Sequence, residues 1–350
     1  GVATVFTTHA TVAGRCIAGN GLALYSDLHK FNADDLARRY NVTAKHSIEK
    51  MAAMYHDAFL TVSDITANEC KYLLGREVTH ITPNGFENDF VWQGEEYTTK
   101  RAAARKAMIE VAEACYGTKF EKEPLIVGTS GRYEYHNKGL DLFMESLKRL
   151  ASCALDREIL AYVTVPAANN GPRADLVRHL ADKEQAIDEK QWKYSTHYLE
   201  NRQWDPVSQS IRGSVLESKD SKVKVIFVPS YLNGVDGVFN MNYYEMLSGM
   251  DLTAYPSYYE PWGYTPLESV AFSVPTITSN LSGFGLWAVK QADHEGVEVI
   301  SRDDNNDAYA VEQIVAAVLR FMQLDQEQLA AVRQGACNLS KKALWEKFYK

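Results

Sequence analysis

The chain has 350 residues, of which 46% are hydrophobic and 23% charged, and its formal net charge is −8. These values are typical of a soluble globular protein of two domains, and the acidic balance excludes a general nucleic-acid binder, whose surface would be basic. No apolar run is long enough for a membrane span, and no signal peptide opens the chain. The cysteines are scattered without a C-x-x-C pair, which predicts reduced thiols in a cytoplasmic protein.

The first part of the chain predicts alternating strands and helices. "GVATVFTTHA" is typical of a buried parallel strand, and apolar residues at i, i+3, i+4 and i+7 predict a helix around residues 48–55. "AFLTVS" predicts a short strand, and Ser63 is placed to cap a helix that ends near Gly75. "THITPNG" predicts a strand and a turn, and "TTKRAAARKAMIEVAEACYG" predicts a long helix that ends at Gly117.

A second series begins near residue 121. "PLIVGTS", "EILAYVTVP", "KVKVIFVP", "DLTAYPS", "PTITS" and "VEVIS" are typical of short buried strands. Helices are predicted at "LDLFMESLKRL", at "NYYEMLSGM" and from about Asp307 to Met322. Residues 175–204 are polar and predict a solvated helical insertion. The alternation predicts an α/β protein with parallel sheets, in two domains that meet near residue 115.

The segment "YPSYYEPWGYTPLES", residues 255–269, contains two glutamates in an aromatic setting. Thr265, Pro266 and Glu268 fit a capping box at a helix start, which is the simpler explanation of Glu268. The same helix start is also a candidate anion site. Glu260 precedes Pro-Trp-Gly and is not helical, so its carboxylate either faces water or binds a polar ligand. A sugar fits such a loop, with aromatic rings on its apolar faces.

Further candidates follow the predicted strands, whose carboxyl ends are where α/β proteins bind ligands. Arg132 and Lys138 in "GRYEYHNKG" could clamp a diphosphate, or be two solvated surface charges. The glycines that flank this loop favour the first interpretation, because they let the backbone approach a ligand. His9 and Arg15 follow the first strand, although a lone histidine is more often structural. Asn84 in "PNG" is most simply a turn former.

Metal and nucleotide motifs of the common kinds are missing from the sequence. There is no D-x-D pair, and "DDNND" at residues 303–307 lacks the glycine and the final glutamate of a calcium loop, so we interpret it as a solvated turn. There is also no phosphate-binding G-x-x-x-x-G-K-[ST] and no G-x-S-x-G. The sequence therefore predicts no metal site, no simple ATPase and no serine hydrolase.

Three segments carry a resemblance to a known family: "FTTHATVAGR", "GRYEYHNKG" and "PSYYEPWGYTPLESVAFSVPTITSNLSGFG". Together they resemble glycogen synthases of glycosyltransferase family 3, the animal and fungal type, and "TVSDITANE" and "TPNGF" fit the same pattern. The resemblance runs in order from residue 1 to about residue 290 and more weakly beyond. It implies the GT-B fold, with an acceptor-side Rossmann-like domain over residues 1–118 and a donor-side domain over 119–350.

The resemblance also implies an activity. Glucose from UDP-glucose is added to the non-reducing end of an α-1,4-glucan, glycogen, with retention of the anomeric configuration. UDP-glucose is the donor substrate, and neither a cofactor nor a metal is implied; a homo-oligomer stays open. Two alternatives share parts of this picture: a sugar-nucleotide epimerase with the GT-B fold, and a glycogen-binding relative that has lost catalysis.

Site roles carry over where residues match the family pattern. The resemblance implies catalytic roles for Glu260, Arg132, Lys138 and His9. It implies contacts with UDP-glucose for eight further residues: Arg15, Asn84, Tyr243, Trp262, Gly263, Tyr264, Thr265 and Glu268. In this assignment Arg132 and Lys138 bind the diphosphate, Glu260 lies beside the donor glucose, and residues 263–265 face the phosphates. Tyr243 stacks on uracil, and Glu268 lies near the ribose.

Some features depart from the family pattern. The residues before the predicted boundary supply too few strands for a complete first domain, so we expect an N-terminally truncated chain whose activity alone is in doubt. Animal and fungal enzymes carry an arginine-rich helix that senses glucose 6-phosphate, whereas "VRQGACNLSKKALW" has Arg333 and two lysines. The insertion is also shorter than the eukaryotic oligomerisation helices. These departures predict a bacterial relative without that allosteric response.

Overall fold

Two separate parallel β-sheets organise the chain. A computed structural model describes residues 1–188 and 192–348. Within that part, the first sheet consists of β1 (Val5–Thr8), β2 (Ala58–Thr61) and β3 (His80–Ile81), in the order β1-β2-β3. All of its strand pairs are parallel, so the three carboxyl ends meet at one edge.

The second sheet has six strands in the described part of the chain: β4 (Leu125–Ser130), β5 (Ile159–Thr164), β8 (Val223–Val228), β9 (Leu252–Tyr255), β10 (Thr276–Ser279) and β11 (Val297–Ile300). Their order is β11-β10-β9-β4-β5-β8, and every pair is parallel. All residues of β4, β5 and β8 are buried, which explains why these strands are nearly continuous apolar runs in the sequence. A small antiparallel pair joins β6 (Asn169–Pro172) to β7 (His197–Leu199).

Six helices precede the second sheet among the described residues: α1 (Val12–Gly19), α2 (Leu24–Asp27), α3 (Ala33–Arg39), α4 (Thr43–Tyr55), α5 (Asp64–Glu69) and α6 (Gly94–Tyr116). The sequence predicted α4, α5 and α6 but not the three short helices before them. Ser63 caps α5 as predicted, since its Oγ accepts the N–H of Thr66 at 3.3 Å. A π-helical turn, Cys70–Leu74, continues α5 and ends at Gly75, and α6 ends at Gly117. These glycines have φ of 76° and 65°, a conformation that favours glycine.

Nine helices accompany or follow the second sheet in the described residues: α7 (Leu140–Ala151), α8 (Ala174–Ala181), α9 (Pro206–Ile211), α10 (Tyr243–Gly249), α11 (Tyr264–Ala271), α12 (Gly283–Val289), α13 (Asp307–Met322), α14 (Gln326–Lys341) and α15 (Trp345–Phe348). They cover both faces of the sheet. Leu125 and Val127 of β4 pack into the core with α7 and α13, and Ile126 packs into the opposite core with α6 and α10. This alternation follows from the two-residue period of a strand.

The helix α4 forms where the apolar spacing predicted it, yet that spacing does not mark its buried face. Ile48 and Tyr55 are 71% and 77% exposed, and the buried residues of α4 are His46 and Ala53. The 3.6-residue period therefore identifies the helix but not the side that packs against the sheet.

The packing of α6 bears on the domain division. Its buried residues, among them Met108 and Ala112, share a core with Ile126 and Leu160 of the second sheet. This contact places α6 with the second sheet, although the predicted boundary assigns it to the first domain. The boundary at residue 118 itself stays a prediction.

Residues 175–204 differ from the predicted solvated helical insertion. α8 is helical, but β7 pairs with β6, and Tyr194 is fully buried. Arg173 and Asp175 form a fully buried ion pair at 2.9 Å, so charged composition here does not mean solvent exposure. Residues 189–191, which the prediction also covers, lie outside the described residues.

All five cysteines are free, and Cys70 and Cys115 are buried. The thiols of Cys70 and Cys115 are therefore screened from solvent. Among the helices in the described residues, none combines the length and the apolar character that crossing a membrane requires.

The buried carboxylate of Asp251 connects four elements: β4, β9, α6 and α14. Asp251, just before β9, receives hydrogen bonds on Oδ1 from Arg101, Arg105 and Arg333 at 2.7, 2.9 and 3.0 Å. Its Oδ2 accepts the N–H of Ile126 at 3.0 Å. Burial alone would raise the pKa of Asp251, but the neighbouring guanidinium groups and this N–H hold the pKa below its ordinary value. Arg333, which the sequence places in the stretch that corresponds to the arginine-rich helix, is therefore an ion-pair partner of Asp251.

Asp251→Asn should lower the free energy of unfolding by about 3 kcal/mol at pH 7, because three guanidinium groups then surround a neutral amide. The folded pKa of Asp251 lies below the unfolded value of about 3.9. Its stabilisation is therefore present above that pH and is lost as the pH falls further. Urea unfolding at pH 7 and pH 3 measures this, and the two proteins should converge at acid pH.

Glu298→Gln is a matched control, because it removes the exposed partner of Arg320. It should change stability by less than about 0.5 kcal/mol. An Asp251→Asn variant as stable at pH 7 as this control would contradict the prediction.

Candidate active site

The carboxyl ends of strands from both sheets face one cavity of about 310 Å³. Ten of the twelve predicted site residues line it: His9, Arg15, Asn84, Arg132, Lys138, Glu260, Trp262, Gly263, Tyr264 and Thr265. They come from segments as far apart in sequence as the ends of β1 and β9. The structure thus brings the predicted set together, while the individual roles stay predictions.

A second cavity of about 520 Å³ adjoins the first, since Gly131, Arg132 and Thr265 line both. Tyr243 lines the larger one, and its hydroxyl lies 2.8 Å from Ser130 Oγ at the end of β4. The two cavities form a continuous cleft along the carboxyl edge of the second sheet, which is the usual ligand position in such folds.

Lys138 and Glu260 form an ion pair within the smaller cavity. Lys138 Nζ lies 2.5 Å from Glu260 Oε2, and the two side chains are only 13% and 12% exposed. Lys138 belongs to the loop after β4 and Glu260 to the loop after β9. The predicted diphosphate-binding cation and the predicted sugar-facing carboxylate are therefore partners when no ligand is present.

Close backbone contacts hold these two loops together. The carbonyl of Asn137 accepts the N–H groups of both Tyr258 and Tyr259 at 3.0 Å. Gly139 has φ of 71°, and a Cβ at this position would lie 2.2 Å from the carbonyl oxygen of Pro256. The interpretation that Gly139 admits a ligand is therefore wrong, because the close approach is to the neighbouring loop.

Arg302 contacts the loop after β9 from the protein interior and was not identified from the sequence. It is fully buried, donates through Nη1 to the carbonyl of Pro256, and lies 5.4 Å from the ring centroid of Tyr258. Burial lowers the pKa of Arg302, and the carboxylates of Asp141 and Asp307 oppose that shift. A single arginine beside an acidic run gives no sequence signal for such a position.

The acidic run at residues 303–307 is also not simply a solvated turn. Asp304 accepts the backbone N–H groups of Tyr25 and Ser26 at 3.3 and 2.7 Å. It also accepts the hydroxyl of Tyr258. The run therefore attaches α2 to the loop that carries Glu260.

One carboxylate bridges the two arginines of the site. Glu134 Oε1 lies 3.2 Å from Arg15 Nη1 and 3.2 Å from Arg132 Nε. Arg15 belongs to α1 and Arg132 to the loop after β4, so Glu134 links the two sides of the cleft. Glu134 lies inside "GRYEYHNKG", and its position between two candidate cations was the available signal.

His9 and Asn84 lie side by side across the first sheet. Asn84 Nδ2 is 3.4 Å from His9 Nδ1, with His9 exposed and Asn84 buried. Residues 82–85 are irregular and contain no turn, so the turn-former interpretation of Asn84 is wrong. The strand β3 ends before this segment, which leaves its side chains free to line the cavity.

The aromatic rings of residues 255–264 are mostly structural. Tyr258, Tyr259 and Trp262 are 3%, 2% and 3% exposed, and Trp262 packs against Phe284. Only the ring of Tyr264, among these, is well exposed, and its hydroxyl donates to the carbonyl of Gly85 at 3.2 Å. The buried rings therefore belong mainly to the protein interior, although Trp262 also lines the smaller cavity. A sugar platform formed by these rings stays a prediction.

The predicted capping box at the start of α11 is wrong. The helix begins at Tyr264, after Gly263 with φ of 118°, and no side chain caps it. Glu268 instead accepts the hydroxyl of Tyr244 through Oε1 at 3.1 Å and does not line either cavity. Burial raises the pKa of Glu268 to about 7, opposed by the hydrogen bond from Tyr244.

Glu268→Gln should flatten part of the pH dependence of stability. The folded pKa of about 7 lies above the ordinary value, so the contribution of Glu268 is fully present at acid pH and is lost as the pH rises to 7. Above pH 7 the variant should be more stable than the wild type by about 2 kcal/mol, because no charge is then buried. Urea unfolding at pH 5 and pH 8 measures the difference.

The exposed Glu312 on α13 offers the control Glu312→Gln, which should leave the pH dependence unchanged. If Glu268→Gln and the wild type had parallel stability profiles between pH 5 and pH 8, Glu268 would not hold a proton in the folded protein.

Comparison with known proteins identifies the family of the chain. The family model described as glycogen synthase matches residues 1–193 and 188–349. This chain belongs to the glycogen synthase family. A glycogen [starch] synthase of Dictyostelium discoideum is 30% identical over 411 aligned residues, which cover 100% of this chain and 47% of that protein. The liver glycogen [starch] synthase of Homo sapiens is 28% identical, over 98% of this chain and 57% of that protein.

This member of the glycogen synthase family spans about half the length of the relatives that it matches. A glycogen [starch] synthase of Neurospora crassa, 27% identical over 99% of this chain and 58% of that protein, shows the same proportion. These relatives are eukaryotic, which confirms the resemblance to the animal and fungal type. The prediction of a bacterial relative stays a prediction.

Solved structures confirm the GT-B fold. The glycosyltransferase WaaG of lipopolysaccharide biosynthesis superimposes with a TM-score of 0.52 at 16% identity, over 97% of this chain and 70% of that protein. Anabaena HepE in complex with UDP and glucose gives a TM-score of 0.54 at 12% identity, over 97% and 67%. At such identities the likeness concerns the fold alone.

Proposed function

We propose that this chain forms the donor-binding part of a glycogen synthase that transfers glucose from UDP-glucose to an α-1,4-glucan. The transfer goes to the non-reducing end, retains the anomeric configuration and uses no metal ion. Family membership supports the glucan synthase over a sugar-nucleotide epimerase with the same fold. The cleft formed by the two adjoining cavities supports the proposed position of the donor substrate.

The observation that carries the proposal is the convergence of three cations in one cavity. Arg15, Arg132 and Lys138 line the smaller cavity, and Glu260 lies among them. Two guanidinium forks and one ammonium group suit the oxygens of a diphosphate. The adjoining cavity, with Tyr243 at its wall, has the volume and apolar character that a nucleoside requires. The fold likeness to HepE, which binds UDP and glucose, agrees with this arrangement.

The ion pairs of the cleft define which contacts a donor must replace on binding. Lys138 is bound by Glu260, and Arg15 and Arg132 share Glu134. A diphosphate that takes over Lys138 releases Glu260 to bind sugar hydroxyl groups. The exchange replaces one charge-assisted hydrogen bond by another, so Lys138 remains paired throughout.

Departure of UDP builds negative charge on the β-phosphate. Arg132 and Lys138 are positioned to stabilise that charge, and the free N–H groups at the start of α11 add to the same field. Glu260, once released, can stabilise the positive character that develops at the anomeric carbon. We favour a front-face route for retention, because it requires no nucleophile on the opposite face.

Calorimetric titration with UDP tests the donor site directly. UDP should bind the wild type more tightly than ADP does. Lys138→Ala should weaken UDP binding tenfold to a hundredfold, the effect of losing about 1.5–3 kcal/mol from one charge-assisted hydrogen bond. Because UDP lacks the sugar, this result concerns the nucleotide and diphosphate alone.

Lys148→Ala is the matched control, since Lys148 lies on α7 and pairs with Glu145 away from the cleft. It should leave the dissociation constant unchanged. A folded wild type that fails to bind UDP, or equal losses in the two lysine variants, would remove the proposed donor site.

A further inference from the structure

A buried carboxylate outside both cavities contacts the loop that carries Glu260. Glu69, the last residue of α5, is 1% exposed. Its Oε2 accepts the hydroxyl of Thr11 at 2.7 Å and the hydroxyl of Tyr259 at 3.0 Å. Its Oε1 is buried without a hydrogen-bond partner among the described residues. Neither the family match nor the proposed donor site explains this group.

The first turn of α1 is built around this carboxylate. A Cβ on Gly14 would lie 2.2 Å from Glu69 Oε2, so a larger residue at this position would displace the carboxylate. The N–H of Gly14 donates to Thr11 Oγ1 at 3.0 Å, and the Thr11 hydroxyl hydrogen is then directed to Glu69. Gly14 leaves space for one carboxylate oxygen of Glu69, and Thr11 donates a hydrogen bond to it.

Tyr259 connects the Glu69 carboxylate to the candidate active site. It directly precedes Glu260 and is 2% exposed. Its backbone N–H is held by Asn137 in the loop of Lys138, and its hydroxyl is held by Glu69. Tyr259 is therefore fixed at both ends, once from each side of the cleft. The placement of Glu260 depends on both attachments, because one peptide unit separates the two residues.

We propose that Glu69 is a positioning residue, whose ionised carboxylate holds Tyr259 and thereby sets Glu260 against Lys138 and the donor sugar. The part of this proposal that concerns the sugar rests on the proposed function. An ionised carboxylate is an acceptor only, so Oε2 can receive both hydroxyl groups at once. A protonated carboxyl must instead place its hydrogen either on the buried, unpartnered Oε1 or on Oε2, where it competes with Thr11 and Tyr259.

The groups that face Glu69 favour a proton equilibrium near neutral pH. Charged and titratable neighbours come from the elements packed around it: Glu49 on α4, Arg15 on α1, Tyr25 on α2, Tyr259 after β9, and Cys70 beside it. Burial raises the pKa of Glu69 to about 7, against the hydrogen bonds from Thr11 and Tyr259. Glu49 adds to the rise and Arg15 opposes it.

Hydrogen exchange tests the attachment without any ligand. In Glu69→Gln and in Tyr259→Phe, backbone amides of residues 258–260 should exchange about tenfold faster than in the wild type, the effect of one lost hydrogen bond. The double variant should exchange no faster than the faster single variant, because both changes act on the same contact. Tyr259→Phe removes the hydroxyl donor, and Glu69→Gln replaces the charged acceptor with a neutral, weaker one. Tyr259→Phe leaves the buried carboxylate intact, so it keeps the test valid if Glu69→Gln folds poorly.

Binding of UDP-glucose relative to UDP tests positioning of the sugar. At each pH, the preference of the wild type for UDP-glucose over UDP is compared with that of Glu69→Gln. The wild-type preference divided by the Glu69→Gln preference should fall severalfold between pH 8 and pH 6 as Glu69 takes up a proton. The terminal phosphate of UDP also takes up a proton, at about pH 6, whereas the diester phosphates of UDP-glucose do not; this effect is the same for both proteins and cancels between them.

Glu49→Gln provides the matched control for both measurements. Glu49 is a half-buried carboxyl with a raised pKa, through burial, but it binds Thr8 Oγ1 and the N–H of Val12 and does not touch Tyr259. This variant should retain the wild-type exchange at residues 258–260. It should also retain a pH-dependent preference, with its midpoint at a lower pH, because the charge of Glu49 adds to the raised pKa of Glu69.

The outcomes separate the two proposals. Unchanged exchange in Glu69→Gln and Tyr259→Phe overturns the attachment. Faster exchange with a wild-type, pH-dependent preference for UDP-glucose leaves Glu69 a purely structural residue, which overturns the positioning role. A wild type that binds neither UDP nor UDP-glucose refutes the proposed function, while the exchange rates still decide whether Glu69 holds Tyr259.

Discussion

The contact between the loop after β4 and the loop after β9 is the constraint on which the rest of the cleft depends. The carbonyl of Asn137 accepts two N–H groups from the other loop. Gly139 allows the two backbones to approach closely, because a side chain at this position would collide with the carbonyl oxygen of Pro256. The ion pair of Lys138 and Glu260 closes the same contact on the cavity side. Without this contact, the residues predicted to bind the phosphates and the sugar would lie on two independent loops.

Every cation of the smaller cavity has an internal carboxylate partner, although two carboxylates serve three cations. Arg15 and Arg132 share Glu134, and Lys138 pairs with Glu260. Such pairing lowers the cost of keeping partly buried charges in the folded protein, because an isolated buried charge is strongly unfavourable. It also means that a diphosphate must compete with internal carboxylates, so affinity in this cleft reflects a difference between two sets of ion pairs.

Sequence reasoning was most successful where the signal is local. The strands of the second sheet, the helix ends at Gly75 and Gly117, and the residues at strand ends that line the cleft all follow from period, turn chemistry and topology. It failed where a role depends on a distant partner. Glu268 looks like a capping residue until Tyr244 is placed beside it, and Gly139 looks like a ligand contact until Pro256 is seen. Neither partner is adjacent in the chain.

The hydroxyl groups of Tyr258 and Tyr259 have a mechanical consequence. Both belong to the loop of Glu260, yet Tyr258 reaches the backbone of Leu24 and Tyr259 reaches Glu69, on the side of the first sheet. Any change in the angle between the two sheets must therefore pull on this loop. The two tyrosines therefore couple the position of Glu260 to the spacing between the two sheets, so a movement of one sheet relative to the other would be transmitted to this carboxylate.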